Sequence, residues 1–395
     1  MDIKKQINHF MIVSNAYINN IKHNKPQKNV DKRILIIFQQ IFGDSIVFSN
    51  ALNAYAELYP KTDGYRITFI ARPSVVSFMK AVVPLNKDID IQEVDFKRFL
   101  EDYKYYKKII EKYKNYADIL IVPGTSLSAE IMSSSCNANR KVGLVRSIPI
   151  TSPFIMAIFY RVAYTEVIVP AKEDMMLQRH RLLLNYLGLK DYKAKLPILL
   201  PKNKIINENK YAICCPGSSK LEKCWPTDRY IYVIDYIIEK YDINVHLCGG
   251  SDELKFEEII LKSSKNKKRI VSHIGKTNFS DWSAIIQHAC LVLGNDSATM
   301  HLAAAGRVPS ICISGVYDKF QFYPYQVDKI EKGDFLPITL YKDMPCEWCR
   351  TMGYHAGYGN KDCQKRIKDN CCTCCIEAIS IEDVLKKIDE VMTKL

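Results

Sequence analysis

The run Ile34-Leu35-Ile36-Ile37-Phe38 constrains this chain more than any other stretch. It has no polar alternation, so a strand made from it is buried on both faces, as happens in a parallel sheet covered by helices on each side. The run leads into Gly43-Asp44, after which Ile46, Val47, Ala51, Leu52, Tyr55 and Leu58 recur at helical spacing until Pro60 stops the helix. Further strand-like runs stand at 67–71, 89–94, 119–122 and 142–145, with helical or mixed segments between them. A second series follows, with strands at 211–215, 244–248, 290–293 and 310–314 and helices near 228–241, 281–289 and 298–305. Such alternation predicts an α/β fold.

At 395 residues and 48% apolar content, the chain has material for two cores. The pattern divides it into a polar, basic extension at 1–30, short and helical or partly disordered, then α/β domains at 31–187 and 205–345. A Lys- and Pro-bearing linker at 188–204 joins them, and a cysteine-rich loop with a closing helix fills 346–395. Tandem domains of this kind place a ligand cleft at the carboxyl ends of their strands. The 56 Lys+Arg against 43 Asp+Glu give a formal charge of +13, which favours an anionic partner: nucleic acid, an acidic membrane surface or a phosphorylated small molecule. The N-terminus shows no apolar signal-peptide core, and the apolar-leaning stretch 148–160 is broken by Pro149, Thr151, Ser152 and Pro153. The expectation is a cytoplasmic protein, soluble or at most peripheral on a membrane.

Three constellations carry chemistry. The loop Pro216-Gly217-Ser218-Ser219-Lys220-Leu221-Glu222-Lys223-Cys224-Trp225-Pro226 follows a strand and precedes a helix that Thr227 is placed to cap. Its small residues admit a phosphate to the backbone N–H groups, and Lys223 can neutralise a diphosphate. Read alone, it is equally an ordinary βα loop. The second is Asn295-Asp296-Ser297-Ala298-Thr299-Met300-His301, where Ser297 caps a helix whose N-terminus forms an anion site. His301 lies one turn further on, and in isolation it reads more readily as a structural histidine. The third is Gly43-Asp44 at the end of the first strand: Gly43 allows a tight turn, and Asp44 can accept a proton from an attacking hydroxyl or merely cap the helix.

Together these segments resemble glycosyltransferase family 9, the bacterial ADP-heptose:lipopolysaccharide heptosyltransferases and their relatives. The resemblance rests on Gly43-Asp44, on Ser218-Ser219 followed by Lys223-Cys224-Trp225-Pro226, and on 295–304 against Asn-Asp-Ser-Gly-Pro-Met-His-Leu-Ala-Ala. It covers roughly residues 31–385, and it implies a GT-B architecture: two Rossmann-like domains facing across a cleft, the first on the acceptor side and the second binding a nucleotide sugar. The implied reaction is an inverting transfer of heptose from ADP-heptose to a lipopolysaccharide core or related cell-surface glycan, at the inner face of the bacterial inner membrane, with no catalytic metal. Asp44 matches the general base. Gly43, Ser218, Ser219, Lys223, Asp296, Ser297, Ala298, Thr299 and His301 match the donor side, with Lys223 also catalytic through the departing diphosphate. The sequence departs from the pattern where Ala298-Thr299 replaces Gly-Pro, which crowds the backbone approach to a phosphate.

Seven of the 14 cysteines fall at 346–375. Cys346-x-x-Cys349 with later cysteines reads as a tetrahedral thiolate site for structural zinc or iron; reduced thiols without metal are the alternative. The family's spacing before Ile379-Ser380-Ile381-Glu382-Asp383-Val384 implies Cys346, Cys349, Cys363 and Cys375 as ligands. The related autotransporter heptosyltransferases, which modify protein and carry a cysteine-bound iron, make a protein acceptor the alternative. A nucleic-acid or regulatory binding protein is the alternative of another class, but Glu347, Asp362 and Asp369 interrupt the basic residues a finger would need. With the motifs in place, no nucleic acid is expected.

Overall fold

The computed structural model describes residues 3–22, 32–124, 126–145, 163–171, 173–208, 210–219, 221–315, 321–342 and 375–394. The chain divides into two compact units, Met1–Lys80 with Pro84–Ala194, and Ala81–Val83 with Lys195–Leu395.

The sheet of the first unit contains β1 (Arg33–Ile37), β2 (Arg66–Ala71), β3 (Ile89–Glu93), β4 (Ile119–Val122), β5 (Arg140–Leu144) and β6 (Glu166–Ile168). Every pairing is parallel and the order is β3-β2-β1-β4-β5-β6. The helices are α1 (Ile3–Lys22), α2 (Phe42–Leu58), α3 (Pro73–Val82), α4 (Phe96–Glu101), α5 (Tyr103–Tyr113), α6 (Leu127–Ser135) and α7 (Met176–Leu187). The apolar run of β1 is buried on both sides, as its composition requires. Leu35 and Ile37 join a core with Phe99, Tyr106 and Met132, while Phe38 just beyond the strand stacks on Phe48 of α2 at 4.9 Å.

Of the two readings of the N-terminal segment, helical or partly disordered, its described part takes the helical one. It forms the 20-residue helix α1, packed against α4, α5 and α6, with Ile12 and Ala16 buried in the core. The Asn8 amide donates to the Glu101 carbonyl at 2.9 Å, and the Tyr106 hydroxyl donates to Asn15 at 3.3 Å. Asparagines on the packed face break the apolar periodicity that would reveal such a helix.

In the second unit the strands are β7 (Tyr211–Cys215), β8 (Asn244–Leu247), β9 (Ile270–Ser272), β10 (Leu291–Asn295), β11 (Ser310–Ile313) and β12 (Ile338–Leu340). They are again all parallel, in the order β12-β11-β10-β7-β8-β9, the same winding as in the first unit. In each sheet the first strand is central with the fourth beside it, so the winding reverses between β1 and β4 and between β7 and β10. A crevice opens beyond the strand ends at such a reversal, and doubly wound folds bind ligands there. The three-residue strands β6, β9 and β12 are too short to show in the sequence pattern.

The helices here are α8 (Thr227–Tyr241), α9 (Leu254–Ser263), α10 (Phe279–Gln287), α11 (Ala298–Ala305) and α12 (Ile381–Met392). Thr227 is the first residue of α8 rather than its cap; Pro226 holds the cap position with φ −54° and ψ 133°. The closing helix is tied down by Asp389, which accepts from Tyr236 at 2.8 Å and pairs with Lys240 at 2.8 Å. No helix among the described residues is long and apolar enough to cross a membrane.

Because Ile12 closes one side of the first core, Ile12→Ala is expected to cost about 2–4 kcal/mol. Urea unfolding followed by far-ultraviolet circular dichroism should show an earlier first transition. Tryptophan fluorescence, which reports on Trp225, Trp282 and Trp348, all within Lys195–Leu395, should keep its midpoint.

Candidate active site

In the first unit the chain leaves β1 through Gln39, Gln40 and Ile41 and enters α2. Asp44 is the third helical residue, and its carboxylate accepts the Ile41 backbone N–H at 3.4 Å. The capping role is therefore present, and Asp44 is only partly buried. Gly43 makes no tight turn; it is buried in the first turn of α2. Asp44 lines a concavity with Gln40, Gly124, Leu144, Pro170 and Arg179. A Cβ on Gly124 would stand 3.0 Å from Gln40 Nε2, so glycine there keeps the loops after β1 and β4 close together. Arg179 is 8% exposed and fixed by its Nε donating to the Asp174 carbonyl at 2.6 Å. Arg72 donates to the Gln39 carbonyl at 2.9 Å. Burial lowers the Arg72 pKa, while the charges of Asp95 and Asp44 oppose that fall. Asp44 thus sits beside Arg72 and Arg179.

In the second unit the loops after β7 and β10 are joined by buried polar groups. Lys223 Nζ lies 3.3 Å from Asp296 Oδ2, and the two side chains are 9% and 4% exposed. Ser218 Oγ donates to the Asp296 carbonyl at 3.0 Å. Asn295, fully buried, accepts the Trp225 N–H at 2.9 Å and the Tyr230 hydroxyl at 2.8 Å, and donates to the Pro216 carbonyl at 2.7 Å. Trp225 in turn donates its indole N–H to the Ile379 carbonyl at 2.9 Å, which anchors the start of α12 to the same loop. The loop that presents Lys223 is therefore held from both ends.

Ser297 occupies the N-cap position of α11, but its hydroxyl makes no cap bond. It is buried with no hydrogen-bond partner among the described residues. Ser219 is exposed at the loop's tip, and Ala298 opens the helix. Thr299 is turned inward, bonded to the Cys215 thiol, so its side chain does not crowd the loop mouth. His301 is 2% exposed, lies 2.6 Å from the Tyr325 hydroxyl and stacks on Tyr323 at 5.3 Å. Its surroundings are those of a packed histidine that braces α11.

Two further residues of the second unit gain their roles from tertiary contacts. The three hydrogen bonds of Asn295 depend on loops that are remote in sequence. Glu253 follows β8, and its carboxyl group lies over Gly217 and Gly249; a Cβ on either would fall 2.1 Å or 2.0 Å from it. Burial, reinforced by Asp252, pushes its pKa up to about 7, with Lys255 opposing. Glu253 ends the segment Cys248-Gly249-Gly250-Ser251-Asp252-Glu253, where the sequence places base and ribose contacts, and an acidic residue shortly after a doubly wound unit's second strand is the signal for it. Of the cysteine quartet, Cys346, Cys349 and Cys363 lie outside the described residues, and Cys375 opens the last described segment. Among the described residues no group of three or more His, Cys, Asp or Glu is placed to hold a metal.

Two parallel sheets of this winding, with polar loops gathered at both reversals, define a doubly wound α/β protein. Residues 106–333 match the model of glycosyltransferase family 9 (heptosyltransferase), and the chain belongs to that family. It is 30% identical over 169 residues to lipopolysaccharide heptosyltransferase 3 of Escherichia coli (strain K12), a match covering 42% of this chain. It thus spans 43% of the length of that curated relative. Its fold resembles a family 9 glycosyl transferase from Veillonella parvula DSM 2008, with a TM-score of 0.67 at 19% identity, covering 94% of this chain and 100% of that one. It also resembles E. coli ADP-heptose lps heptosyltransferase II, with a TM-score of 0.63 at 18% identity, covering 92% and 99%.

Asn295→Ala strands the Trp225 N–H and the Tyr230 hydroxyl inside the protein and should cost about 2–4 kcal/mol. Denaturant unfolding read by tryptophan fluorescence measures it. Glu253 supplies a pH dependence of known sign. Its folded pKa of about 7 exceeds the ordinary 4.5, so the native state holds the extra proton and stability falls as pH rises from about 4.5 through about 7. Glu253→Gln should therefore raise the unfolding midpoint at pH 8 and leave it nearly unchanged at pH 4.

Proposed function

We propose that this protein is an inverting glycosyltransferase that moves heptose from ADP-heptose onto a lipopolysaccharide core or related cell-surface glycan. The observation that carries the reading is the buried Lys223–Asp296 pair at the β7/β10 reversal, beside the unpaired Ser297 hydroxyl and the N-terminus of α11. A cation, a hydroxyl and a helix N-terminus at one crevice suit a diphosphate. Membership of family 9 supports the reaction class.

In this mechanism Asp44 takes the proton of the acceptor hydroxyl as its oxygen attacks the anomeric carbon from the face opposite the diphosphate. The new C–O bond forms as the bond to the diphosphate oxygen breaks, and ADP leaves with the electron pair. Negative charge grows on that oxygen, where Lys223 and the α11 N-terminus stabilise it more strongly than in the ground state. They take the part that a divalent cation plays in other sugar transferases. Asp296 positions Lys223, since a carboxylate facing the diphosphate itself would repel it. Ser218, whose proton is engaged by the Asp296 carbonyl, holds the loop, leaving Ser219 and Ser297 as donors. Glu253 faces the ribose, as an acidic residue after the second strand does in doubly wound folds.

The acceptor places the reaction at the cytoplasmic face of the inner membrane, with the protein peripheral there. A structural zinc or iron held by Cys346, Cys349, Cys363 and Cys375 belongs to the same reading, supported by the Cys-x-x-Cys spacing. Elemental analysis should find one metal per chain, lost in Cys346→Ser.

Product mass spectrometry with ADP-heptose and a lipid-core acceptor tests the transfer. Asp44→Asn should lower kcat by about 10²–10⁴ with ADP affinity by calorimetry unchanged. Lys223→Ala should lower kcat by about 10²–10³ and weaken ADP as well. Full activity in both variants would end the proposal, and transfer to a polypeptide instead would reassign the acceptor.

A further inference from the structure

A surface helix ordinarily turns its polar side to water. Helix α1 does not. Its inner face buries Ile12 and Ala16, while Ile7, Phe10, Met11 and Ile18 stand 55%, 73%, 39% and 46% exposed. At 100° per residue, Ile7, Met11 and Ile18 fall on one line opposite that inner face, with Phe10 beside it. The outer side of α1 is therefore a second apolar stripe that packing within the first unit does not explain.

Charge indicates what covers it. The helix contains Lys4, Lys5 and Lys22 and no Asp or Glu. Residues 1–33 hold seven Lys or Arg against Asp2 and Asp31. A second copy of this chain would bring two such cationic segments together and repel. An anionic bilayer meets both demands, taking the apolar stripe at its headgroup–acyl boundary while its charge complements the cationic sequence of the helix. We infer that α1 is a docking helix that seats the first unit on an anionic phospholipid surface. The proposal deepens the glycolipid-acceptor reading and rests on it for purpose only, since that acceptor lies in a bilayer.

The test is flotation of the full-length protein with phosphatidylglycerol/phosphatidylethanolamine vesicles, with neither donor nor acceptor present. Wild-type protein should float with these vesicles and not with phosphatidylcholine vesicles. The triple variant Ile7→Asn/Phe10→Asn/Ile18→Asn changes exposed positions only, so its circular dichroism melt should match wild type while its partitioning falls at least about tenfold. Ile259→Asn, at an equally exposed position of the second unit, should bind as wild type. Three results would overturn the inference: wild type failing to float, equal binding to neutral vesicles, or undiminished binding by the triple variant. So would a solution dimer that the triple variant dissolves. Vesicle binding without transferase activity would remove the acceptor reading and leave the docking helix standing; activity without vesicle binding would do the reverse.

Discussion

The side chain of Asn295 is the interaction on which the rest of the second unit's site depends. A buried amide must fill its hydrogen-bonding capacity, and this one does so with the backbone of the loop after β7, the Trp225 N–H and the Tyr230 hydroxyl. That closure sets the distance between the β7 and β10 loops. Lys223 and Asp296 can then meet out of water, and Ser218 can bridge to the Asp296 backbone. The loop Cβ-free positions follow from the same crowding: Gly294 leaves room for the Cys215 carbonyl, 2.8 Å from where a Cβ would stand, and Gly217 for Glu253.

The same winding occurs twice, and each copy uses its reversal point differently. In the first unit the loop after β1 delivers a carboxylate, Asp44, among arginines; in the second the loop after β7 delivers an ammonium, Lys223, against a carboxylate and a helix N-terminus. Those opposite chemistries suit a proton acceptor and an anion stabiliser, the two demands of displacing a diphosphate with a hydroxyl.

Legibility followed the length of the pattern. The apolar runs of β1, β4, β7 and β10 stood out because a strand buried on both faces has little choice of residue, and the helix behind Ser297 ended at Gly306 as its composition required. The three-residue strands β6, β9 and β12 left no pattern, and the segment of α1 read as either helical or disordered because Asn8 and Asn15 take positions on its packed face that distant partners satisfy. Gly43-Asp44 showed the limit most plainly. The pair marked a strand-to-helix junction, yet whether glycine turned the chain or simply packed in the helix depended on what lay against it.

By itself the sequence determined the α/β class, the two series of strands and helices, the family and the segments that carry chemistry, because these rest on local periodicity and contiguous motifs. Tertiary structure alone decided which groups are free to act. It engaged the Ser218 proton, turned Thr299 inward, enclosed His301 among tyrosines, brought Glu253 over two glycines and left the buried Ser297 hydroxyl unpaired among the described residues. The physical reason is that hydrogen-bond satisfaction and desolvation are settled by neighbours tens of residues away, which no local spacing encodes.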